Sequence, residues 1–250
     1  MLFDLPHILF MVFSTLGLII ALVLCRLFIK EQNKKDLVLK IAALLTIIIH
    51  YSVLYVDYFS TGSAEISNTM ILPMYPCNVA MWLLLIVAFY KNKESKAFNI
   101  LAIITFYLGL IGGIFGIALN EIYSSTPNLA DWDVLHGLLS HVTLLLGCIY
   151  ILVGGYIKIR VSNLTSIIIG LLGLLVDGYL MIGLFKLFNL DPPNIMFLLE
   201  PPIKAMPWFN TYIIGLLAIV LFFIVTALCE QFTVKKEDRW YNKLNFRRKK

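Results

Sequence analysis

Six ionisable or nucleophilic side chains, His50, Asp57, Cys77, His136, His141 and Asp177, interrupt long apolar stretches of the chain, and Glu200 stands in a late polar break. An ionisable group at membrane depth is costly, so each is a candidate for function. Cys77 has the most suggestive neighbours, Pro73, Pro76 and Asn78. Proline is favoured in a first helical turn, so a helix opening at Pro76 puts Cys77 where unpaired N–H groups and the positive end of the dipole favour a thiolate. Cys77 with His141 would make a nucleophile–base pair, with Asn78 or Asp177 available to orient the imidazole. His50 also fits a second use, as a packing residue bonded to a backbone carbonyl, and Asp177 as a hydrogen-bond partner between helices. His136, at the expected water boundary, reads as a packing residue. Cys25, Cys148 and Cys229 lie near segment ends or among Leu and Ile and read as small apolar fillers. Two histidines, a carboxylate and a thiol could also bind a metal. They would come from four segments, with no CxxC and no i,i+4 pair of strong ligands, so neither a metal nor another cofactor is expected.

These residues must be positioned by membrane helices. Of the 250 residues, 60% are apolar and only 14% are charged, and the mean hydropathy is +0.88. That excludes a soluble enzyme, a disordered chain and a secreted disulfide scaffold. Seven segments approach the ~20 apolar residues that cross a bilayer as a helix: 6–28, 38–58, 71–90, 97–119, 135–157, 164–187 and 208–232. The fold class expected is all-α, a polytopic seven-transmembrane-helix bundle forming one domain over 1–232, followed by a basic tail at 233–250. Open sheets would leave unsatisfied edges in lipid.

Of the 20 basic residues, 18 fall on alternate connections and in the tail; only Lys186 and Lys204 fall on the other side. The positive-inside rule then puts the N-terminus outside and the C-terminus in the cytoplasm. The first segment lacks a preceding basic cluster, unlike a signal peptide. The net charge of +5 belongs to topology and to anionic headgroups rather than to nucleic acid. In this orientation His50, Cys77, His141 and Asp177 all lie roughly 9–15 Å below the outer surface, at 1.5 Å per residue. Four helices thus bring polar groups to one level.

The segments LPMYPCNVAMW at 72–82 and LLSHVTLLL at 138–146, with Asn194-Ile-Met-Phe-Leu and Pro207-Trp208-Phe209 near the last loop, resemble in order and spacing the YwaF family of bacterial integral membrane proteins. The likeness covers roughly residues 40–230. That family looks related to an animal seven-pass acyltransferase of ether phospholipids that uses a cysteine in a Pro-Cys context. The resemblance implies Cys77 as an acyl-accepting nucleophile and His141 as its partner, with Tyr75, Asn194 and Trp208 in supporting or substrate-binding places. Tyr75 and Asn78 stand where bacterial relatives commonly have His and Asp.

Three functions compete at this stage. The first is an acyltransferase or acyl-ester hydrolase acting on a lipid or lipoprotein of the outer leaflet, in a bacterial plasma membrane. Cys77 would attack, His141 would carry the proton, and Asn78 and helix N–H groups would stabilise the oxyanion. Its partners are membrane lipids or a lipoprotein, with no nucleic acid and no soluble cofactor. The second is a binder or transporter of a small or lipidic ligand, in which His50 or Asp177 handles protons. The third is an assembly or insertion factor with a structural polar layer.

Overall fold

The computed structural model describes residues 2–62, 72–202 and 205–242; the side chain of Asp57 and residues 243–250 of the expected tail lie outside the described set. The described chain is helical, without strands: α1 (Leu5–Phe28), α2 (Gln32–Thr61), α3 (Pro76–Phe89), α4 (Lys96–Ala118), the short α5 (Glu121–Ser125), α6 (Trp132–Val153), α7 (Leu164–Leu187) and α8 (Thr211–Thr233). Helix starts follow local chemistry. The side chains of Asp4, Ser95, Asn120, Asp131 and Asn210 each accept a first-turn N–H, a cap contributing about 1 kcal/mol. Six helical spans among the described residues are long and apolar enough to cross a membrane, which makes the chain a polytopic helical membrane protein.

The expected seventh crossing, 71–90, differs. Its helix runs only Pro76–Phe89, 14 residues, or about 21 Å against a ~30 Å hydrocarbon core. Proline explains the shortening. Pro76 lacks an N–H and its ring disfavours helix at the residue before it, and Tyr75 is extended at φ −125°, ψ 154°. Non-helical backbone at membrane depth survives where protein covers it, and Met74, just before the helix, is fully buried. A second boundary also moves. α2 begins at Gln32 rather than 38, so Lys34 and Lys35 ride its first turns instead of a loop. Long basic side chains are good helix formers and can reach water from a helix end.

The chain divides into two compact units, Met1–Tyr156 and Ile157–Lys250. In the first, α4 is the most buried span. Its glycines let neighbours approach closely, as small residues do between membrane helices. A Cβ at Gly109 would stand 2.0 Å from Cys148 Sγ and one at Gly113 2.4 Å from Leu145, both on α6. Gly147 of α6 gives the same room to Leu84 of α3. Polar ties hold both ends of this unit. At one end Trp132 Nε1 donates to Ser52 Oγ (3.0 Å), and the Tyr123 hydroxyl donates to Asp4 Oδ1 (2.6 Å); that bond, foremost, holds the Asp4 carboxyl down at about 2. At the other end Asp36 accepts from the Tyr156 hydroxyl (2.6 Å) and pairs with Lys93 (3.0 Å). Burial, and then the Asp36 carboxylate, push the Tyr156 phenol far above its usual range.

In the second unit α7 packs against α8 and against the turn Ile195–Phe197. Met196 (φ 49°) and Phe197 (φ 58°) are held left-handed there, a conformation that side chains adopt at a cost of order 1–3 kcal/mol. Leu198 presses on α7 at Gly178, where a Cβ would come within 2.6 Å. Glu230, buried near the end of α8, accepts from the backbone N–H groups of Val161 (2.6 Å) and Trp240 (2.8 Å). The carboxylate thereby fixes the chain on either side of the α7–α8 pair.

Candidate functional site

Cys77 owes its place to the proline that starts α3. With Tyr75 at the N-cap and Pro76 first, Cys77 and Asn78 occupy the opening turn. The first intrahelical bond there is Val79 N–H to Tyr75 O (3.0 Å). The N–H groups of Cys77 and Asn78 therefore have no intrahelical acceptor, as at any helix start. The half-buried thiol donates to Asn78 Oδ1 at 3.4 Å, and Asn78 itself is buried.

His141 lies in the middle of α6, and α4 sets its surroundings. A Cβ at Gly116 would stand 2.3–2.4 Å from three atoms of the imidazole, so the ring occupies the space that glycine leaves open. One turn earlier, a Cβ at Gly112 would stand 2.9 Å from Cys77 Cα and 3.1 Å from its Cβ. Four residues are about 6 Å of helix rise. The cysteine turn and the imidazole therefore pack on consecutive turns of one α4 face. These two glycines carry the geometry, and the sequence reading passed over them. Their signal was the Gly109-x2-Gly112-Gly113-x2-Gly116 spacing, a stripe of small residues in an apolar helix.

In this state the thiol's hydrogen bond goes to Asn78 rather than to His141. His141 Nδ1 is buried without a hydrogen-bond partner. At Nδ1 the ring is confined sterically by Gly116 rather than by a hydrogen bond. His50 and His136 lie within Coulombic reach of His141. His50, half-buried on α2, stands edge-on to Tyr51 at 5.0 Å. His136 is buried and its Nδ1–H donates to Trp132 O (2.9 Å), a helix-internal bond that suits its reading as a packing residue. The fourth histidine, His7, was not singled out from sequence. It is fully buried, with Nε2 donating to Ile117 O (2.9 Å) and Nδ1 accepting from Phe3 N–H (3.1 Å). Both ring nitrogens are satisfied, and the residue ties α1 to α4.

The remaining candidates belong to the second unit. Asp177, on α7, has a buried Oδ2 without a hydrogen-bond partner. Asn194 closes a loop: its Oδ1 accepts from Leu199 and Glu200 N–H (3.1 Å each) and its Nδ2 donates to Glu200 O (2.9 Å). Trp208 is 62% exposed ahead of α8, with its ring against Phe209, a position that suits an interfacial aromatic. Among the described residues no group of three or more His, Cys, Asp or Glu is placed to hold a metal. Cys148 is buried in the Gly109 notch, while Cys25 and Cys229 are half-buried near helix ends.

A cysteine in the first turn of α3 and a buried histidine of α6 thus pack on consecutive turns of one face of α4. The family model of the TMEM164 family matches residues 2–228, nearly the whole chain. No curated protein and no solved structure matches it significantly.

Proposed function

The chain belongs to the TMEM164 family of membrane proteins, and we propose that it is a cysteine-dependent acyltransferase acting on an ester lipid or lipoprotein in the outer leaflet. The observation that carries this reading is the packing of Cys77 and His141 on consecutive turns of α4, with first-turn N–H groups beside the sulfur. The thiol leaves Asn78 Oδ1 by a rotamer change and gives its proton to His141. Sulfur attacks the ester carbonyl, and the N–H groups of Cys77 and Asn78 donate hydrogen bonds to the developing oxyanion. The C–O bond breaks as the imidazolium protonates the leaving alcohol. An acceptor hydroxyl, deprotonated by His141, then attacks the thioester and restores the thiol. The resemblance of the LPMYPC segment to the YwaF family and its acyltransferase relative supports the same assignment. Purified protein carrying native lipids is expected to show an acyl-sized mass increment on Cys77, removed by hydroxylamine. A stoichiometric absence of adduct after incubation with ester phospholipid, with Cys77 unmodified, removes the reading.

The outward placement of the site rests on the basic residues. We infer an outside N-terminus and a cytoplasmic C-terminus, in a bacterial plasma membrane, with α3 and its non-helical lead-in from Leu72 to Tyr75 together making the seventh crossing that opposite termini require. A reporter active only in the cytoplasm should be silent after Asn128 and active after Lys93 and Lys250. Activity after Asn128 inverts the topology and moves the site to the inner leaflet.

A further inference from the structure

We propose that the groove between α1 and α6 seats one acyl chain of a bilayer phospholipid. It encloses about 740 Å³ and is lined by α1 from Leu5 to Ala21 and by α6 at Leu139, Val142, Thr143 and Leu146. The α1 lining is about 24 Å long at 1.5 Å per residue, a narrow shape suited to a chain rather than a compact ligand. Its volume falls within the about 300–1,000 Å³ of ligand sites.

The lining chemistry selects the occupant. Its two hydroxyls are turned inward: Ser14 donates to Met11 O, and Thr143 donates to Leu139 and Ser140 carbonyls. Among the described residues no Lys, Arg or His lines the groove, so a free fatty acid would find no partner there for its carboxylate. A phospholipid leaves its headgroup at the interface and presents only hydrocarbon. Both walls are membrane-crossing helices, so the surrounding solvent is itself the source of that hydrocarbon. Gly17, midway along α1, meets nothing within 4 Å of its Cβ position; the absent side chain leaves space at the centre of the wall. The assignment does not rest on the Cys77 chemistry.

The test places the full chain in phosphatidylcholine nanodiscs containing a small fraction of phosphatidylcholine with a diazirine on its acyl chain. Photolabelled residues are then read by peptide mass spectrometry. Labelling is expected to concentrate at Phe13, Ser14, Val142 and Leu146 over the exposed Leu216, Leu217 and Val220 of α8, which serve as bulk-lipid controls. Gly17→Trp fills the groove and should lower groove labelling about tenfold, the equivalent of about 1.4 kcal/mol. Labelling on α8 should be unchanged, which also certifies the fold. Ser14→Phe should act in the same direction from the neighbouring turn. Cys77→Ala should leave groove labelling intact, so loss of acyl transfer and loss of groove binding are separate results. Equal labelling of groove and α8, or labelling indifferent to Gly17→Trp, overturns the proposal. So does preferential labelling by a diazirine free fatty acid, or groove labelling that appears only when residues 243–250 are deleted or when a dimer is diluted to monomer.

Discussion

Cys77→Ala is expected to abolish acyl transfer, lowering the rate at least about 10³-fold as loss of a covalent nucleophile does, while the protein still accumulates and folds. The fold should survive because the substitution removes one thiol-to-Asn78 hydrogen bond and one small half-buried atom, a loss of about 1 kcal/mol. Cys77→Ser keeps size and polarity but raises the pKa of the attacking group far above that of a thiol, and it should be nearly as inactive. The other cysteines provide contrast. Cys148→Ala empties part of the Gly109 notch and should reduce stability by roughly 1–2 kcal/mol with the acyl profile unchanged. Cys25→Ala and Cys229→Ala, near helix ends, should be silent in both readouts. The measurement is mass spectrometry of lipids and lipoproteins from cells expressing each variant at equal level. An unchanged acyl profile with Cys77→Ala would remove the thioester chemistry and leave a lipid binder or transporter as the better reading.

Much of this molecule can be read before its coordinates are known, for a physical reason. Hydrocarbon forces every crossing backbone to bond within itself, so apolar length alone locates α1, α4, α6, α7 and α8 to within a few residues of their structural ends. Proline sets the exception. The Pro73 and Pro76 pair marks where the third helix opens, and the helix does begin at Pro76; its consequence, a helix too short to cross alone, is hidden when only hydropathy is counted over 71–90.

The site is less legible. Counting residues along the apolar segments gives His50, Cys77, His141 and Asp177 a similar expected depth, but depth has no angular coordinate. Which faces meet is decided by Gly112 and Gly116, whose role is to be absent volume, and such residues carry no chemical label in a single sequence. His7 shows the opposite error. A buried histidine with both nitrogens bonded to backbone sits close to a chain end, and there the sequence gives no sign that α1 delivers it to the middle helix.

The glycine that confines the imidazole supplies the sharpest test of the arrangement. Gly116→Ala places a methyl where Cε1, Nδ1 and Nε2 of His141 would lie only 2.3–2.4 Å away. The ring must retreat by about 1 Å to reach ordinary contact, and a 1 Å misplacement of a catalytic group can lower a rate about 10²-fold. The loss should appear in kcat with KM little changed, because the methyl enters the space of the base. Two controls separate geometry from stability. Gly109→Ala collides with Cys148 Sγ and should destabilise the α4–α6 pair without a comparable rate loss per folded protein. Gly173→Ala, with open space around its Cβ position, should gain up to about 1 kcal/mol of helix propensity and keep full activity. The decisive comparison is a double-mutant cycle. If Gly116 acts by positioning His141, Gly116→Ala should cost nothing further in a His141→Ala background, since residues serving one function are non-additive. Additive losses in that cycle would show that the methyl disturbs the bundle rather than the base, and His141 would lose its place as the partner of Cys77.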